Sequence, residues 1–117
     1  MTAETTTSST YTDLATVGPA VTVVVPASGM VLISVTAGMV SSNGNAGYMG
    51  FVVSGANTSA ATDPLALNLQ GNQFVKASAT FLLTGLTPGS TTFTAQYRTT
   101  GGTETIHNRY IWAIPQP

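Results

Sequence analysis

The sequence contains no cysteine, a single histidine and only seven charged side chains. The missing cysteines exclude a disulfide framework, thiolate zinc sites, iron–sulfur clusters and cysteine nucleophiles together. They leave the compartment open, because a cysteine-free chain is indifferent to redox poise. The charged residues are Lys76, Arg98, Arg109, Glu4, Asp13, Asp63 and Glu104, which make 6% of the chain; an average domain has about 25%. Three scattered basic residues and a net charge of −1 build no phosphate-binding face, so nucleic acid is not an expected partner. Long apolar runs are lacking too. The most apolar stretch, Val17 to Val40, is broken by Gly18, Pro19, Pro26, Ser28, Gly29 and Gly38, well short of the roughly 20 unbroken apolar residues of a membrane helix. Met1 to Glu4 carries no basic segment and no apolar one follows, so neither a signal peptide nor a membrane partner is expected.

Catalytic patterns are equally scarce. His107 has no Gly-x-Ser-x-Gly elbow to serve, and simple alternation places it on one strand face with Thr105 and Arg109. The four carboxylates lie far apart in sequence, unlike the facing pair of a glycosidase or the cluster of a calcium site. Asp63 precedes Pro64 and reads as a turn residue. Asn57-Thr58-Ser59 matches a glycosylation sequon that, without a signal peptide, carries no weight. The expectation is a protein that is not an enzyme, with no metal and no cofactor.

What is present is 43% apolar residues set among Thr, Ser, Gly, Asn and Ala. In 117 residues that suffices for one domain with a real core. Residues 1–12 are Thr/Ser-rich and read as an N-terminal arm, flexible or docked; residues 13–117 read as the domain. Period-two alternation dominates there. Val31, Ile33, Val35, Ala37 and Met39 share one face, as do Val75, Ala77, Ala79, Phe81 and Leu83, and as do Phe93, Ala95 and Tyr97. Pro26-Ala27-Ser28-Gly29 predicts a tight turn closing a first hairpin, and Thr99 to Gly102 a second. Leu65, Leu67 and Leu69 predict a short strand. Ser41–Gly47 and Ser54–Pro64 predict loops. No helical period of useful length appears. Six to eight strands with turn signals at regular spacing predict an all-β, antiparallel β-sandwich or jelly roll with no significant helix.

Some strands are apolar on both faces, notably Tyr48 to Val53 and Tyr110 to Ile114. A two-layer sandwich leaves one face of each strand wet, so a second cover is implied. A Thr-rich uncharged surface suits exposed strands, yet it also suits faces covered by sister copies, since a free monomer this poor in charge has weak colloidal protection. The expected partner is therefore the chain itself, as a homotrimer. The expected interface residues are Tyr48, Met49, Phe51, Tyr110 and Trp112, with Thr5 and Tyr11 of the arm reaching a neighbour. Trp112, Tyr110 and Tyr97 also admit readings as sugar-stacking rings or as sheet core.

The segments YTDLATVGPAVTVVVPASGMVLISVTAGM, YMGFVVSGANT, FLLTGLTPGSTTFTAQYR and RYIWAIP, spread over Gly18 to Ile114 and just before it, resemble domains of actinobacterial bacteriophage virion proteins, in minor tail or fibre proteins and in small capsid accessory proteins. That likeness implies a jelly roll similar to the C1q and tumour necrosis factor group, trimeric assembly, and a virion location with a major capsid protein or other virion protein as partner. It carries no catalytic residues over. The chain opens with its own Met1 and no collagen-like or coiled-coil shaft precedes the domain, which favours a capsid decoration protein over a fibre tip. The alternative is a receptor- or host-glycan-binding domain of a tail fibre using the two loops named above. Leu86-x-Pro88-Gly89 followed by Phe93 and Tyr97 is also similar to a fibronectin type III module, although Trp112 stands at the wrong end of the chain for that.

Overall fold

A computed structural model describes residues 3–117; Met1 and Thr2 of the expected arm lie outside the described residues. Eight strands form: β1 (Glu4–Thr6), β2 (Ala20–Val25), β3 (Val31–Ser41), β4 (Ala46–Gly55), β5 (Leu67–Gln70), β6 (Val75–Leu83), β7 (Gly89–Thr99) and β8 (Glu104–Pro115). Among the described residues the single helical element is a 3-10 turn at Asp63–Leu65, where Pro64 presets the backbone.

The strands pair antiparallel in two four-stranded sheets, ordered β1-β8-β3-β6 and β2-β7-β4-β5. This is a sandwich of eight strands with the order of a jelly roll. Alternation explains the core. Val31, Ile33, Val35, Ala37 and Met39 of β3 are at most 1% exposed, and across from them lie Met49 and Phe51 of β4 with Phe93, Ala95 and Tyr97 of β7. Each such large side chain contributes roughly 1.5–3 kcal/mol by leaving water. Phe51 packs edge-on to Phe93 with centroids 5.9 Å apart.

Both expected hairpins need correction. The Pro26–Gly29 turn joins β2 to β3, and the Thr99–Gly102 turn joins β7 to β8, but in each case the two strands belong to different sheets. These turns carry the chain across the sandwich. Turn chemistry reports a reversal; it does not say which strand becomes the partner. Leu65 ends the 3-10 turn, and the short strand starts at Leu67.

The N-terminal arm is stitched to its own domain. Glu4–Thr6 pairs with Glu104–Ile106 of β8. Further on, Thr12 exchanges both backbone hydrogen bonds with Tyr97, and Ser8 O accepts from Thr99 N–H at 2.8 Å. Residues 8–12 thus extend the second sheet along β7 beyond the point where β2 begins.

β8 holds one irregularity. Pairing with β3 slips between Thr36 and Gly38, so that Ala37 faces both Asn108 and Arg109. Asn108 adopts φ 52°, a conformation Asn tolerates better than most residues. Before this bulge Glu104 and Ile106 point inward; after it Arg109, Ile111 and Ala113 do. Simple alternation had placed His107 and Arg109 together. The bulge sends Arg109 inside, 2% exposed, and leaves His107 on the outer face.

Candidate interaction surface

The outer face of the first sheet is laid out in cross-strand rows. Ile114, Leu32 and Leu82 stand side by side; then Trp112, Ser34 and Thr80; then Tyr110, Thr36 and Ser78; then His107, Gly38 and Lys76. Ile114, Trp112, Tyr110 and Leu82 are 51, 41, 57 and 55% exposed. On the β6 side the rows are closed by hydroxyls: Thr80 Oγ1 donates to Ser34 Oγ at 3.1 Å, and Thr36 and Ser78 share a hydrogen bond. Phe74 lies flat over Gly38, where any Cβ would meet its ring, and it stacks on His107 with centroids 4.1 Å apart. The face is therefore a β8 column of large apolar side chains beside a column of small polar ones, continued by Phe74 at one end and Leu82 at the other.

The expected interface residues divide. Tyr110 and Trp112 stand on this face and are exposed. Met49 and Phe51 do not reach a surface: at 0 and 3% exposed they are core residues, because alternation in β4 turns them toward β3. Tyr48 lies on the opposite sheet, half-buried under Arg98, whose guanidinium is 4.2 Å from its ring centroid. The second cover expected for β4 comes from the chain itself, since Tyr11 and Ala61 lie against Gly50. Tyr11 is likewise held at home and donates its hydroxyl proton to Asp63 Oδ1 at 2.8 Å. Thr5 is exposed but paired with Thr105. Sequence reasoning missed Phe74, Leu82 and Ile114; the alternation through residues 74–83 was the available signal for the first two and the outward run in β8 for the third.

The few charges are mostly used up. Arg98 Nε and Nη2 donate to the two Asp63 oxygens at 3.0 and 2.7 Å. Those bonds, with that from Tyr11, hold the Asp63 carboxyl below its ordinary range. Burial first, and the neighbouring Asp63 second, push the Tyr11 hydroxyl up. Glu4 accepts from the backbone N–H of Thr16 at 2.8 Å and from its hydroxyl at 2.6 Å, which lowers its carboxyl pKa. Its Oε1 is also 3.5 Å from Arg109 Nη2. Lys76 hangs over the Tyr110 ring. Glu104 is 1% exposed. Among the described side chains that leaves Asp13 and Lys76 exposed, with the Arg98–Asp63 pair and Glu4 at least part-exposed and already partnered.

Arg109 is buried over the Tyr97 ring, 5.6 Å from its centroid, and its Nε and Nη1 have no partner among the described residues. A buried cation so incompletely paired adds little net stability. Arg109→Met is therefore expected to melt at or above the wild-type temperature in circular dichroism scans; a loss beyond about 1 kcal/mol would show that the Glu4 contact is a net stabiliser.

The two loops of the receptor-binding alternative flank β4, one at each end. They lie roughly 33 Å apart along ten strand residues and do not form one cluster. Among the described residues no helix is long and apolar enough to cross a membrane. Among the described residues no group of three or more His, Cys, Asp or Glu is placed to hold a metal ion. No known protein family and no curated protein matches the chain.

Proposed function

We propose that the chain is a structural bacteriophage virion protein, a capsid decoration protein that assembles as a homotrimer through the outer face of its first sheet. The observation that carries this reading is the row of Tyr110, Trp112, Ile114 and Leu82, each at least 41% exposed, on a surface almost without charge. Scattered exposed apolar residues are ordinary. A contiguous aromatic and aliphatic column is not, and marks a contact surface. Trp and Tyr are also the residues that anchor interfaces most strongly. The likeness of the sequence to actinobacteriophage virion domains supplies the virion setting, and the jelly-roll strand order agrees with it. The role is mechanical: sister subunits bury the column, and the assembled face opposite rests on the shell, where binding of the folded form adds stability by mass action.

Light scattering tests the assembly. The wild-type protein is expected at about three times the 11.9 kDa chain mass. Trp112→Lys combined with Tyr110→Lys is expected to give the single-chain mass with an unchanged β spectrum. A wild-type monomer at micromolar concentration would overturn the oligomeric reading. Mass spectrometry of purified virions from the encoding phage tests the setting: the chain should be present in copy numbers comparable to the shell protein.

A further inference from the structure

The geometry points to a second docking site, bordering the first at Leu82: the free edge of β6 and the cavity beside it accept an extended, uncharged polypeptide segment, which adds a strand to the first sheet and seats one bulky apolar side chain in the cavity.

Two independent features meet there. The first is the edge. β6 is the end strand of its sheet, and it pairs with β3 without interruption from Leu83 to Val75. No backbone hydrogen bond joins its other side to any described residue. Proteins usually guard such an edge with proline, a bulge or several charges, because its unmet N–H and C=O groups template pairing with another chain. β6 has no proline and no bulge, and its only charge, Lys76, lies at the end remote from the cavity.

The second feature is the cavity, about 390 Å³, which opens beside the C-terminal half of β6. Phe51, Val53, Leu83 and Leu86 line its apolar part, Leu82 borders it from the outer face of the first sheet, Thr58 and Thr84 stand at the rim, and no charged residue lines it. Its volume lies within the range of ligand sites. The wall is preformed. Asn57 Nδ2 donates to Thr87 O and Asn57 Oδ1 accepts from Thr87 N–H, each at 2.8 Å. Ser59 and Val53 exchange backbone hydrogen bonds at 2.9 and 3.1 Å. Binding therefore spends little on ordering the loop.

The occupant follows from the chemistry. A strand added to β6 carries alternate side chains on the inner face, level with Phe81 and Leu83, and one of them is directed over Phe51 and Val53. Backbone bonds supply affinity and the cavity supplies selection, as in other cases of strand addition. The uncharged lining selects a neutral residue. A free small molecule leaves the β6 backbone unmatched. A second copy pairing β6 with itself about Ala79 sets Lys76 against Leu82 and offers the cavity only Val75, so a segment of different sequence fits better.

A displayed library of random heptapeptides, panned against the full chain, tests this. Enriched sequences are expected to share one Leu, Ile, Met or Phe with no charge beside it. For a selected peptide, Ala60→Trp or Thr58→Trp should weaken binding at least about tenfold while melting temperature and mass stay at wild-type values; both residues are exposed cavity-rim positions on the loop after β4, outside the first sheet. N-methylating alternate peptide amides separates edge pairing from cavity filling. One alternate set should abolish binding and the other should be tolerated. No enrichment, binding unaffected by both rim variants, or equal tolerance of both methylated sets overturns the proposal. So does a free chain of doubled mass whose β6 amides resist hydrogen exchange, which would make a second copy the occupant.

Discussion

Glu104→Gln is expected to raise stability above pH 7 by up to about 3 kcal/mol and to remove most of its pH dependence between 4.5 and 7. Glu104 sits inside the sandwich at its end, 1% exposed, between Ser41 of β3 and Thr6 of β1 in the ladder and facing Gly47 across the core. Its Oε1 has no hydrogen-bond partner among the described residues. Loss of hydration pushes its carboxyl up to about 7 from an ordinary 4.5, because burial disfavours the charged form. An unfolded chain releases this proton near 4.5 and the native chain holds it to about 7. Between those values the native state binds more protons, so stability falls as pH rises, and the loss is complete above 7. Urea titrations at intervals from pH 4.5 to 8 read the effect directly. Glu4 and Asp63, whose carboxyls are lowered, act in the opposite sense below 4.5 and are common to both proteins, so the difference between the two curves isolates Glu104. Parallel curves would mean the carboxylate is ionised and hydrated in the native state.

The second large effect concerns the glycine that faces this carboxyl. A Cβ at Gly47 would collide with the Glu104 carboxyl carbon and its Cγ. Both residues are buried, so neither has a free direction in which to yield. Gly47→Ala is expected to cost about 2–3 kcal/mol, the upper part of the overpacking range, or roughly 10 °C in melting temperature for a domain of this size. The origin of the cost is testable by a double-mutant cycle. In a Glu104→Ala background the same change should cost less than about 1 kcal/mol, leaving a coupling energy of at least that size. Additive losses would place the strain in the β4 backbone instead. Gly38 offers the contrast: a Cβ there meets the ring of Phe74, but Phe74 is 47% exposed and can swing aside.

How far the sequence could be read depended on how local the governing interaction is. Alternation along β3 and β7 is set by burial of one face, residue by residue, so Ile33, Met39, Phe93 and Tyr97 were legible as core. Strand pairing is decided by partners far along the chain, so the turns after Val25 and Thr99 were recognisable while the sheet each following strand joined was not. β1 was hidden in a Thr/Ser-rich leader because three residues carry no usable period. The candidate face was legible as a surplus of apolar residues in Tyr110 to Ile114. That β4 takes no part in it was not, since the cover on Gly50 comes from Tyr11, 39 positions away. Asn108 escaped notice because nothing in its neighbours announces a bulge.

Asn108 also governs how β8 can change over generations. On its N-terminal side the inward residues are even-numbered, on its C-terminal side odd-numbered. Flattening the bulge with every residue retained would keep Glu104 and Ile106 in place while turning Tyr110, Trp112 and Ile114 into the interior and expelling Arg109, Ile111 and Ala113, whereas loss of the Asn108 codon would leave each of them on its present face. This twelve-residue strand can therefore lose its bulged residue without moving a side chain to the other face, but it cannot straighten at full length. Descendants of this chain are free to gain and lose residues in the connections, and within β8 the bulge is a place where one can be dropped.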